Sequence, residues 1–425
     1  MKKRSVILRY VCLLFALCFM LQSCDSVLDP IDESSSSLES VPKENTTEEP
    51  KPKAVNTVTQ APKDALYQNG ETYYVVSPSD LPNNGELFVD HSEERRGGHF
   101  GHAMVEYADG KILCFYPNCN GDNNGHSGRG WMEYKRSEDY GKTWSESFIL
   151  DYSYETFQNS NEKRSVMCEK AVVADDGTII LFCLQCDVDE TALWEPYYQP
   201  VYLTSSDGGV TWSEPKLFSD KNGRVYDVLK YRDAIYVLAH LTDPKDGKIY
   251  YYLFTTKDNG LTFEEKKNKL PFHTACFYGT MEVLPDDSLI VYAYSEEDET
   301  RLYYSISETN GLYWSNVSTA SFEKCIRNPQ MIQLNGSYFI MGRSGQKTGN
   351  NVIYFSKDGI NWDAGNYLSI RDTGIGAYSN AIVVGTFNND MPNRVLYQAS
   401  KAYYKNLTNI YHWWIDAYVV VSEET

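Results

Sequence analysis

His99 and His102 stand three residues apart just ahead of an apolar run that begins at Met104. Imidazole titrates near neutrality, so the pair suits proton transfer or contact with sugar hydroxyls; with His126 it also suits a metal, and without either it packs in a channel. Similar mixtures recur ahead of later apolar runs: Arg164, Glu169 and Lys170; Arg224, Tyr226 and Asp227; Tyr278 and Glu282; Arg327, Asn328 and Gln330; Tyr378, Ser379 and Asn380. The polar segment Asn118 to Gly130 adds Asp122, His126 and Arg129. Aromatics beside carboxylates and arginines are what a sugar site requires, flat faces for rings and charges for hydroxyls and acids. Solvated rim is the competing reading for each residue taken singly. Cys183-x-x-Cys186 has redox or half-zinc spacing, but it closes a strand pattern and has no second pair, so it reads as core.

The elements that must hold these residues are strands. Six units each place an apolar strand, a tight polar turn and a second apolar strand: 104–116 around Asp109-Gly110, 171–182 around Asp176-Gly177, 228–238 around Arg232-Asp233, 281–292 around Asp286-Asp287, 331–341 around Asn335-Gly336, and 381–398 around 388–393. A second repeat alternates with them. Ser137-x-Asp139-x-Gly141-x-Thr143-Trp144 returns fully as Ser205 to Trp212, conservatively as Thr256 to Phe263, with Thr309 for the Asp in Ser307 to Trp314, and one residue shorter in Ser356 to Trp362. Asp caps its own backbone amides, Gly accepts positive φ, and the following aromatic packs between units. Repeats of this spacing predict an all-β, six-bladed β-propeller of four-stranded antiparallel blades. In an up-and-down blade the boxed turns lie on the face opposite the starts of the inner strands, so chemistry is expected at those starts and in the loops between second and third strands.

The five repeats resemble the Asp boxes of the sialidase (neuraminidase) superfamily, over roughly Asp90 to the C-terminus. That resemblance implies a Tyr nucleophile activated by a Glu, an Asp acid/base, and three arginines holding a substrate carboxylate. A neutral Tyr avoids repulsion from an anionic sugar. Ala377-Tyr378-Ser379-Asn380-Ala381 is similar to the nucleophile segment, Asp122 is placed like the acid/base, and Arg327 like a triad arginine. The sequence also departs from the family. His99-Phe-Gly-His102-Ala stands for Arg-Ile-Pro, the expected Glu falls near Tyr278 with Glu282 several residues late, and Tyr294-Ser-Glu296-Glu297 replaces an arginine that Arg343 supplies only by another geometry. The resulting candidates are Tyr378, Asp122 and Glu282 for catalysis, and Arg327, His99, His102, Arg164, Arg343 and Asp227 for substrate contact. Neither a metal nor a cofactor is expected.

The N-terminus carries Lys2-Lys3-Arg4, an apolar run from Val11 to Leu21, and Leu21-Gln-Ser-Cys24. This is a secretory layout whose end resembles a bacterial lipoprotein box, so residues 1–23 are expected to be a signal peptide and Cys24 the lipidated first residue. Residues 24–66, rich in Ser, Thr, Pro, Glu and Lys, read as a disordered tether, and 67–425 as the propeller. A net charge of −19 argues against nucleic acid as a partner. Of 10 cysteines, seven follow Cys24, an odd number without framework spacing. The expectation is a monomeric lipoprotein of the cell envelope acting on glycans, an exo-glycosidase of sialidase type or a divergent relative with another sugar. The alternatives are a non-catalytic glycan-binding propeller and a histidine-centred lyase or hydrolase.

Overall fold

The computed structural model describes residues 51–77, 85–120, 129–187, 197–345, 350–370, 378–404 and 407–422. Asp122, His126, Cys24 and the signal peptide lie outside them. Five of the sheets are runs of consecutive strands, four with four strands and one, the first, with five. Each of the six sequence units folds as the antiparallel hairpin expected of it, from Met104–Ala108 with Lys111–Asn120 to Ser379–Val384 with Arg394–Tyr404. The fold is therefore an all-β propeller with four-stranded antiparallel blades.

The remaining sheet departs from the four-stranded plan, having seven strands drawn from both ends of the described chain. The long C-terminal strand Leu407–Val420 pairs antiparallel with Thr72–Ser77 and Glu86–Val89, and parallel with Asn56–Val58. Asn56–Val58 falls inside the stretch read as tether, so ordered structure begins earlier than expected. Trp413, fully buried in this sheet, packs with Tyr397, Tyr74 and Phe339 in one cluster. The short helix Asp151–Asn159, between the first and second sheets, has no counterpart in the sequence reading. It is held by Ser153, whose hydroxyl accepts from Met132 N at 3.0 Å and donates to Val166 O at 2.8 Å.

The boxed turns show why their residue types recur. In the second box Thr211 N and Oγ1 both donate to the Asp207 carboxylate, at 2.9 and 2.6 Å, while Gly209 N donates to Ser205 Oγ at 2.8 Å. Those contacts hold the Asp207 carboxyl well below the usual carboxylate range. Gly209 has φ +76, and a Cβ there would meet Leu113 of the preceding blade at 2.7 Å, so glycine serves both the turn and the close approach of blades. Trp212 then packs edge-on against Phe115, also of the preceding blade. In the fourth box Thr309 Oγ1 takes over from the Asp and accepts from Tyr313 N at 2.8 Å.

Candidate functional site

The inner strands of four successive sheets carry a register shift at the same height: between Cys168 and Lys170, Val225 and Asp227, Phe277 and Thr280, and Arg327 and Gln330. A β-bulge re-aims the side chain it inserts. Here the inserted residues include Glu169, Tyr226, Tyr278 and Asn328, which together with Phe100 and Tyr378 line one axial pocket. Tyr278 and Asn328 hold left-handed backbones, φ +47 and +55, an uncommon conformation for such residues and one that collects at functional sites.

Within this pocket Arg224 Nε donates to Glu169 Oε2 at 3.1 Å, Nη2 bonds Glu169 Oε1, and Nη1 donates to Tyr278 Oη at 3.3 Å. The guanidinium also lies over the rings of Phe100, Tyr226 and Tyr278. Burial pulls it down, but Glu169 and the surrounding phenols outweigh burial and push it up; the Glu169 carboxyl is itself raised by burial, with Arg224 acting the other way. Tyr278 Oη in turn lies 3.4 Å from Tyr378 Oη. Arg343 sits over the Tyr378 ring, 5.3 Å from its centroid. Burial raises the Tyr378 phenol well above its ordinary value and the neighbouring Tyr278 adds to this, with Arg343 acting the other way.

Below these groups a polar lattice crosses the axis. Lys170 Nζ bonds Gln330 Oε1, donates to Asn380 Oδ1 at 2.8 Å and pairs with Asp227 Oδ1 at 3.0 Å. Asp227 Oδ2 accepts from Thr280 Oγ1 and Met281 N, both at 2.8 Å; Thr280 Oγ1 accepts from Met331 N at 2.8 Å, and Asn380 Nδ2 donates to His102 O at 2.9 Å. Five sheets contribute a member, and the segment before the first sheet's inner strand contributes His102 O. Lys170 and Asn380 line the axial pocket on one side and a second, wider cavity on the other, so the lattice is a floor between them. The axial pocket encloses about 50 Å³, room for a few waters or one sugar substituent.

The sequence-derived candidates are distributed unevenly about this centre. Tyr378 lines it, Arg343 lies over the Tyr378 ring without lining the pocket, and Asp227 belongs to the floor beneath. Glu282 is not beside Tyr378: it lines the wider cavity at the other end of the inner strands, where burial lifts its carboxyl to about 7. Arg327 Nη2 donates to Tyr294 Oη at 3.0 Å and to Glu296 Oε1 at 2.6 Å, and Nη1 pairs with Glu299 at 2.9 Å, so acids already occupy it. Arg164 stands in a separate outer cleft, over the Tyr198 ring at 3.8 Å and bonded to Asp187 Oδ1 at 3.0 Å. His99 and His102 are buried, His99 Nδ1 meeting Ser400 Oγ at 3.1 Å and His102 Nδ1 meeting Gln398 Nε2 at 2.9 Å. Burial pushes His102 down to about 4, so its imidazole is neutral at neutral pH. Among the described residues no group of acids, histidines and cysteines could hold a metal. Glu169, Arg224 and Tyr278 stood among the residues at the strand starts, but nothing in their spacing ranked them above their neighbours.

No family model and no curated protein matches the sequence. Solved structures do match. A protein of unknown function from Dyadobacter fermentans superposes with TM-score 0.59 at 14% identity, over 78% of this chain and 98% of the other. A variant of the NanB sialidase from Streptococcus pneumoniae gives TM-score 0.54 at 15% identity, over 80% and 71%. A Hadza microbial sialidase gives 0.58 at 16% identity, over 79% and 68%. The fold is sialidase-like. At these identities the likeness concerns the backbone plan, and the chemistry of the sialidase-like propeller rests on its own residues.

Proposed function

We propose that this protein acts on glycans at the axial pocket, as an exo-glycosidase divergent from the sialidase type, with the seven-stranded composite sheet serving as the sixth blade that closes the ring. The observation that carries this reading is the set of four aligned bulges, two of them with left-handed backbones at Tyr278 and Asn328, which bring Glu169, Tyr226, Tyr278 and Asn328 around Tyr378. Phenol rings and a shielded ion pair suit the faces and hydroxyls of a sugar.

The charges favour a neutral sugar over sialic acid. Glu169 neutralises Arg224, and Glu296 and Glu299 neutralise Arg327. Among the described residues Arg343 alone of these three arginines has no acid partner, so one guanidinium is uncommitted where a carboxylate clamp would want several. With about 50 Å³ of enclosed space, the ring lies across the mouth and sends one substituent inside. In the reaction the neutral Tyr378 phenol stabilises the positive charge that develops at the anomeric carbon as the glycosidic bond breaks, Asp122, assigned by the sequence resemblance, gives its proton to the leaving oxygen, and a water adds to the anomeric carbon and returns a proton to Asp122. The chain is read as a lipoprotein of the cell envelope, anchored through Cys24 and working as a monomer.

Binding without cleavage is the second reading, favoured by one contact. The hydroxyl beside Tyr378 belongs to Tyr278, a phenol, and burial keeps Tyr378 protonated. Incubation of the purified protein with a panel of neutral and acidic oligosaccharides, with released sugars quantified, tests the proposal. Release of a neutral terminal sugar supports it; retention on the same glycans without release selects the binding reading; neither binding nor release on any of them contradicts both.

A further inference from the structure

The wider cavity beyond the Lys170 floor opens at the end of the propeller that carries the boxed turns, and it encloses about 620 Å³. That is the size of a small-molecule site, whereas the axial pocket is not. Its wall is built from the ends of the inner strands of all six sheets and is mainly aliphatic, including Val172, Met281, Met331 and Ile332, with Phe387 exposed at the rim. An apolar concavity of this kind attracts an apolar body.

The charges in the wall decide what else that body carries. Glu106 accepts from Gly385 N, Thr386 N and Thr386 Oγ1 at 2.7–3.0 Å. Asp227 is paired with Lys170, Lys230 with Asp175 at 2.7 Å, and Arg232 with Asp287 at 3.1 Å. Glu282 is different. Its carboxylate accepts backbone N–H groups, from Val283 at 2.9 Å and from Gln333, and no cation pairs with it among the described residues. One acid without a counter-charge in an aliphatic cup is complementary to a cation on an apolar body. We propose that this cavity is a binding site for a hydrophobic primary amine, its ammonium group paired with Glu282 and its apolar part filling the mouth.

The elements around Glu282 bring Asp227, which disfavours its charge, Tyr338 from the neighbouring hairpin, and the paired Lys170, Lys230 and Arg232. Because burial lifts the acid to about 7, amine binding strengthens as pH rises through neutrality.

Three probes of one shape separate the contributions: 2-phenylethylamine, 2-phenylethanol and 3-phenylpropionate, titrated by calorimetry into the intact protein. At pH 8 the amine binds about tenfold more tightly than the alcohol and the acid binds least, and the advantage shrinks by pH 5.5. Glu282→Gln removes the advantage and leaves alcohol binding unchanged, while Val383→Trp, filling the mouth, weakens amine and alcohol alike in a protein whose melting temperature shows it folded. Equal binding of the three probes, no binding of the amine at millimolar concentration, an amine preference that survives Glu282→Gln, or amine binding untouched by Val383→Trp would each overturn the proposal.

Discussion

The hydroxyl of Tyr278 lies 3.4 Å from the hydroxyl of Tyr378, and the same Tyr278 oxygen accepts from Arg224 Nη1 at 3.3 Å. A chain of contacts thus runs from Glu169 through Arg224 and Tyr278 to Tyr378. Glu169 connects to Tyr378 through a guanidinium and a second phenol, and burial, with the Tyr278 phenol adding to it, raises the Tyr378 phenol well above its ordinary value. In Tyr278→Phe the hydroxyl that adds to this rise is gone, so the Tyr378 phenol should titrate at lower pH than in the parent. Ultraviolet difference titration of the folded protein checks this; an unchanged or higher alkaline midpoint would show that the Tyr278 hydroxyl does not act on Tyr378.

The Glu169–Arg224 pair is buried, with side chains 6% exposed on both sides. Removing one partner leaves an uncompensated charge in the channel, so Glu169→Gln should lose about 3–5 kcal/mol, and Glu169→Leu with Arg224→Met together should lose less than Glu169→Gln alone. Urea unfolding of the single and double variants measures both. Additive losses would show that the two side chains do not act as a pair.

Four histidines are buried in neutral form: burial pushes His91 and His102 down to about 4, and His240 and His412 down to about 3. Each folded value is below the unfolded one near 6.5, so the unfolded chain binds more protons in between. Stability is complete above about pH 6.5 and is lost as pH falls toward about 4. Glu282, raised to about 7, works in the opposite sense, costing stability as pH climbs from about 4.5 to 7. Melting temperatures from pH 8 to 4 should therefore drop steeply on the acid side. In Glu282→Gln the variant should gain on the parent at pH 8 and match it near pH 4.5; a gain that is larger at the acid end would contradict the assignment.

The propeller was legible because its boxes repeat chemistry that only one backbone satisfies: Ser205, Asp207, Gly209 and Thr211 all spend their polar atoms on the turn itself. Residues with such local duties announce themselves in a sequence. The site did not, because its members act across sheets. Glu169 and Arg224 are 55 positions apart, and what brings them together is a pair of bulges, which change register without changing the apolar pattern. Glu282 illustrates the same limit, since its distance along the strand from Tyr278 decides which end of the channel it faces. In the composite sheet the recruitment of Asn56–Val58 was hidden by the polar composition around it.

Box glycines should be more costly to replace than other turn glycines. Gly177 and Gly260 share a left-handed backbone, φ +85 and +81, but a Cβ at Gly177 meets nothing within 4 Å, whereas one at Gly260 meets Ile180 Cδ1 at 2.4 Å. Both alanine variants lose about 1 kcal/mol for the backbone, and Gly260→Ala loses a further 1–3 kcal/mol, roughly, for displacing the neighbouring blade. Equal losses in denaturant melts would mean that blade contact at the boxes is loose.

Glycan is expected to engage Tyr378 and its neighbours on the axis, not the outer cleft that holds Arg164. The direct measurement is the dissociation constant of a glycan selected from the panel, for the parent, Tyr378→Phe, Arg343→Ala and Arg164→Ala, each checked for folding by its melting temperature. Losses of about tenfold or more are expected for the first two substitutions and little change for the third. Binding that survives Tyr378→Phe and Arg343→Ala but is lost in Arg164→Ala would move the site to the outer cleft and contradict that expectation.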